Sequence, residues 1–196
     1  MNKIKTADTL DAPDRGLFLV GFVAGSDGPW RIESISPVIG DSLPKATHLS
    51  IREADTTITD DASWVLRGTT SNGRYVHQTE QQRLLDRQEG LGRDRATRAA
   101  LIPILKAKAW WDFAQDERRQ IFEEQSSHIA IGIEYLPAIA RRLFHCRDLG
   151  GPFDFLTWFE YAPEHVTGFE MLVERLRSTR EWTFVEREVD IRLIRE

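Results

Sequence analysis

The stretch from Leu101 to Leu193 limits the chain to few folds, because its hydrophobic residues change period in a fixed order. Leu101 to Lys108 has strand length, with Ile102, Ile104, Lys106 and Lys108 on one face. The other face, Leu101, Pro103, Leu105 and Ala107, is wholly apolar and is expected to face the core. Asp112 is expected to N-cap a helix, with Gln115 three residues later. On that helix Ile121, Phe122, Gln125, His128 and Ile129 form one stripe. Pro137 opens a strand to Cys146, Leu149-Gly150-Gly151-Pro152 turns it, and Phe153 to Tyr161 returns. Phe169, Leu172, Val173 and Leu176 recur at helical spacing, and Trp182 to Leu193 reads as a long closing strand. The order is strand, helix, two hairpin strands, helix, strand, which is a ferredoxin-like unit.

The first half is strand-rich. Residues 1–15 read as a flexible lead-in, and Leu17 to Val23 is a continuous apolar run of strand length. Further strands are expected at Trp30 to Val38, Thr47 to Arg52 and Ser63 to Arg67. Asn72-Gly73 is a turn signal, and Arg74-Tyr75-Val76 resumes an extended segment. Gln78 to Gly90 reads as a helix with Thr79 and Gln82 as a capping box, and Asp94 to Ala100 as a short second helix. The chain is thus α+β, with one half over residues 16–100 and a second over 101–196.

Composition narrows the function. A net charge of −5 argues against general nucleic-acid binding, which needs clustered Lys and Arg. A small anionic substrate is still compatible, because one buried arginine sets the local field. The single cysteine, Cys146, excludes an internal disulfide and cysteine-based zinc or iron–sulfur sites. No run approaches the roughly 20 apolar residues of a membrane span, and residues 1–15 lack a signal-peptide core. A cytoplasmic protein without membrane attachment is expected.

Among five histidines, His48, His77 and His165 read as surface or hydrogen-bonded groups. His128 differs, since it shares the stripe of Ile121 and Ile129. It has no second histidine or cysteine at metal spacing nearby, which disfavours zinc and leaves iron porphyrin, for which one protein ligand suffices. The plainer reading is a core histidine with a hydrogen-bond partner. Arg141 shares a strand face with Ile139, Leu143 and His145, and a charge there calls for an anion or carboxylate. His145 is the rival ligand. Lys106 suits a porphyrin propionate, or simply a strand running out into water. Glu181 suits an acceptor for the His128 Nδ1–H, or a solvated charge. Trp110 falls on the Lys106 face.

Taken together, Arg67-Gly68, Arg74-Tyr75, Ile102-Pro103-Ile104, Lys106, Trp110-Trp111, His128, the run Arg141 to Gly150, Phe153-Asp154-Phe155, Phe159-Glu160, Leu176, Thr179 and Glu181 resemble the chlorite dismutase family of haem b proteins, and its short-chain members in particular. The resemblance covers roughly residues 65–196. It implies a dimeric α+β barrel with two ferredoxin-like halves per subunit, the N-terminal half truncated, and haem b in the C-terminal half. It also implies His128 as proximal iron ligand, Glu181 as its hydrogen-bond partner and Arg141 as the distal arginine, with Gln88 able to hold it. Tyr75 and Lys106 would meet the propionates, and Ile102 and Trp110 would line the pocket. The implied reaction converts chlorite to chloride and dioxygen through an oxo-iron intermediate that recombines with a hypochlorite-level fragment. A coproheme decarboxylase or peroxidase-like relative is the nearest alternative, disfavoured by Arg141. A haem-binding or sensing protein without turnover is another, and a haem-free barrel a third.

Overall fold

Strand β5 (Arg98–Lys106) has two apolar faces, and the fold is built on both. Ala99 and Leu101 point into one core with Trp158, Val189 and Ile191, while Ala100, Ile102 and Ile104 point into a second with Phe159, Phe169 and Leu172. The expected apolar face is therefore one of two buried ones, because the face ending at Lys106 is covered as well. In this computed structural model residues 19–53, 61–70 and 75–196 are described. The remaining strands are β1 (Leu19–Gly25), β2 (Trp30–Ile39), β3 (His48–Glu53), β4 (Trp64–Thr69), β6 (Ile139–His145), β7 (Phe155–Tyr161) and β8 (Val185–Arg195). All pairings are antiparallel and close one barrel in the order β1-β3-β2-β8-β5-β7-β6-β4. Pro103, which has no N–H to donate, sits where the β5–β8 ladder lapses between Leu101↔Ile191 and Ile104↔Glu188.

The helices are α1 (Gln78–Arg87), α2 (Lys108–Asp112), α3 (Gln115–Arg119), α4 (His128–Glu134) and α5 (Val166–Arg177), with a π-helical turn at Gln120–Glu124 after α3. All four apolar residues of the expected periodic stripe on α5 are buried. Under this helix lies the second core, outside the barrel.

Several expectations are corrected. No helix spans Asp94 to Ala100: Arg98 already pairs with Tyr161 and Ile194, and Ala99 and Ala100 are wholly buried. Pairing on both sides outweighs the helical preference of alanine. Asp112 ends α2 instead of capping a helix. The break follows at Phe113, and α3 starts after Ala114, whose N–H donates to the Glu117 carboxylate at 2.7 Å. On α1 the capping partners are His77 and Glu80, joined at 2.8 Å, not Thr79 and Gln82. Glu181 to Phe184 form a 3₁₀ turn, so the last strand begins at Val185. The lead-in and Asn72-Gly73-Arg74 lie outside the described residues.

Candidate functional site

Between the outer barrel face and the helices lies a cavity of about 830 Å³, counting its mouth. Ile102, Ile104, Phe159, Val173 and Leu176 make its walls largely apolar. Tyr75, Lys106, Trp110, His128, Arg141 and Glu181 line the same space, as does His145. Gln88 stands outside it.

His128 opens α4. Ser127 before it takes φ 52°, a left-handed conformation that redirects the chain into α4. The imidazole Nδ1 lies 2.6 Å from Glu181 Oε2, and Nε2 has no hydrogen bond among the described residues. Phe122 stacks on the ring at 4.3 Å between centroids, and Trp182 lies nearly parallel at 6.4 Å.

Glu181 is held from three sides. Its N–H donates to Ser126 Oγ at 2.9 Å, and Lys106 Nζ donates to its Oε1 at 2.7 Å, opposite the His128 contact. Burial pushes the Glu181 carboxyl up, but the electrostatic attraction of the neighbouring His128 and Lys106 and their hydrogen bonds outweigh it and bring the pKa to about 2. Lys106, expected at solvent or at a propionate, is only 5% exposed and engaged by Glu181. The ammonium also lies 4.8 Å from the Trp110 ring centre and 5.4 Å from that of Trp182. The strand end beneath it is fixed by Asp154, which accepts the Lys106 backbone N–H at 2.8 Å and Trp111 Nε1 at 3.1 Å. Lys108, on the same expected face, is instead in α2 and reaches Asp112 in water.

Trp110 is buried, and its Nε1 has no acceptor among the described residues. Tyr75 meets its ring edge-on at 6.3 Å. A positive φ of 62° at Tyr75 is secured by Arg119, which donates to the Tyr75 carbonyl and forms a two-pronged pair with Glu80 at 2.6 and 2.8 Å.

Arg141 comes from β6, on the face shared with Leu143 and His145. Its guanidinium rests against α4 one turn beyond His128: a Cβ on Gly132 would stand 2.5–2.8 Å from it. No hydrogen bond to this guanidinium is made among the described residues. Burial lowers its pKa and the Glu123 charge opposes this, but a guanidinium stays protonated. Gln88 Nε2 donates to the Arg141 carbonyl at 3.0 Å and so anchors its backbone, not its charge.

Two further wall residues, Arg177 and Glu188, escape sequence reasoning. In a closing strand beside Glu186 and Arg187, Glu188 looks like any solvated charge. No periodicity marks it as inward.

The chlorite dismutase family profile matches residues 46–195. The dimeric chlorite dismutase of Nitrobacter winogradskyi is 59% identical over 90% of this chain and 99% of its own, with a TM-score of 0.85. Chlorite dismutase from Candidatus Nitrospira defluvii shares the fold at 18% identity and a TM-score of 0.66, over 93% of this chain and 92% of its own. No curated sequence matches. With that profile over most of its length, and that identity across nine-tenths of it, this chain belongs to the chlorite dismutase family.

Proposed function

We propose that the cavity binds haem b through His128 and that the loaded protein converts chlorite to chloride and dioxygen. One observation carries this reading: the His128 imidazole, fixed at Nδ1 by a buried carboxylate, stands in a largely apolar cavity that also holds Arg141. With Glu181 as acceptor the proton stays on Nδ1, which leaves the Nε2 lone pair for a metal. No group of three His, Cys, Asp or Glu suited to a metal occurs among the described residues. A macrocycle that brings its own nitrogen donors therefore suits His128 better than a bare ion. Trp110 fits the same group. A buried N–H without an acceptor costs about 1–3 kcal/mol, which a propionate carboxylate would relieve. Tyr75 and Ile102 line the wall of the same pocket.

When bound, haem iron supplies the redox chemistry. Arg141 supplies a fixed positive charge for ClO₂⁻, in walls that exclude water and strengthen the attraction. Keeping the chlorine-containing fragment beside Arg141 lets both oxygens leave as O₂ and the chlorine as Cl⁻. Lys106 balances Glu181, so the carboxylate stays ionised and able to accept from His128. We read the assembly as a homodimer, by analogy with the dimeric relative. The strand order β8-β5-β7-β6 supports a ferredoxin-like second half.

Haemin titration tests the assignment. Wild-type protein is expected to give a Soret band, His128→Ala to lose the haem, and Arg141→Ala to keep it while losing most chlorite turnover. A His128→Ala protein that retains haem as well as wild type contradicts the ligand assignment.

A further inference from the structure

Glu188 takes no part in the reading above, yet it is fully buried in the wall of the same cavity. From β8 its Oε2 accepts the Trp182 indole N–H at 2.7 Å. Its Oε1 takes Arg177 Nε at 2.9 Å and Nη2 at 2.7 Å. Arg177, from the end of α5, also reaches Asp190 at 2.8 Å, and Asp190 in turn holds Arg192, which pairs with Glu170. Charges in a wall of this kind are an expensive way to fill space. Apolar residues of equal volume often stabilise as well or better, so such a network points to control of geometry.

What it controls is Trp182. Glu181 and Trp182 are neighbours in one 3₁₀ turn, so clamping the indole also fixes the backbone that presents the Glu181 carboxylate to His128. The same indole lies 17° from the plane of the imidazole and within 5.4 Å of the Lys106 ammonium. We propose that Glu188 is a positioning residue: with Arg177 it clamps Trp182, and through the turn it shares with Glu181 it sets the orientation of the His128 imidazole. The proposal rests on the haem reading of the cavity.

The test compares haem-loaded wild type with Trp182→Phe, Glu188→Ala and Glu188→Gln. Three readouts are taken: haem transfer to apomyoglobin, the ferric electron paramagnetic resonance spectrum and the ferrous iron–histidine stretch. Trp182→Phe keeps a ring but removes the N–H, and Glu188→Gln keeps an acceptor oxygen for the indole. Trp182→Phe and Glu188→Ala are expected to lose haem about tenfold faster, the lower end of what loss of an outer-shell partner costs. The iron–histidine stretch should shift in both and return toward wild type in Glu188→Gln. Should Glu188→Ala fail to fold, Trp182→Phe decides alone. An unchanged stretch and spectrum in Trp182→Phe overturns the proposal, even if that variant melts earlier. Wild-type protein without a Soret band overturns the haem reading first, and the proposal with it.

Discussion

At the scale of single residues, Gly132 is where one absent methyl group governs the candidate distal arginine. The Arg141 guanidinium occupies the space that a Cβ would need. Gly132→Ala therefore forces the guanidinium away from α4, while alanine improves the helix by up to about 1 kcal/mol. The expected outcome is unchanged haem content, equal or higher melting temperature, and chlorite turnover lowered by up to about a hundredfold from misplacement of the charge. Steady-state oxygen release with a thermal melt checks this, and unchanged turnover would contradict the role given to that guanidinium. The His128–Glu181 contact, by contrast, was readable in outline from two residues on apolar segments. Its third member was not. Lys106 ends an apolar run at a position that also suits water, and only the fold brings Glu181 to it.

Among the elements, α1 is the one held by its ends. It buries no residue of its own. Glu80 ties its start to His77 and Arg119, and Gln88 ties its end to β6. The Arg119 hydrogen bond, opposed by burial and aided by the His77 N–H, holds the Glu80 carboxyl below its ordinary 4.5. A depressed folded value means stability that is full above about pH 4.5 and lost as pH falls through the folded value. The melting-temperature gap between wild type and Glu80→Gln should thus be constant near neutrality and close in acid. A gap that persists well below that range contradicts the pairing. Helix α5 was legible because its i, i+3, i+4, i+7 pattern answers to one apolar surface. Residues 94–100 were not, since alanines suit a helix locally and the two strands that claim them are β7 and β8, distant in sequence. The break at Phe113 was hidden too, because the α3 cap is supplied from inside the helix by Glu117.

For the whole molecule, closure of the barrel is the feature no pattern announces. Strands β4 and β6 meet at Thr69↔His145, and beside that seam a Cβ on Gly68 would lie 2.6 Å from Phe144 Cβ and 3.3 Å from Cys146 Sγ. A Cβ cannot swing aside without its strand, so Gly68→Ala should cost about 1–3 kcal/mol in urea unfolding, the range of an overpacked core. No loss would mean that the seam is looser than the packing implies. Alternating residues announced strands but not their partners, and β5, apolar on both faces, concealed that one face belongs to a cavity. The relatives share the fold at this scale. Loaded with haem, this cavity is proposed to turn chlorite into chloride and dioxygen. Adding chlorite to the haem-loaded protein in an oxygen-electrode cell, with chloride assayed on the same sample, decides this proposal. Prompt oxygen release is expected, with oxygen and chloride in equal amounts. Bound haem with no oxygen release would contradict it.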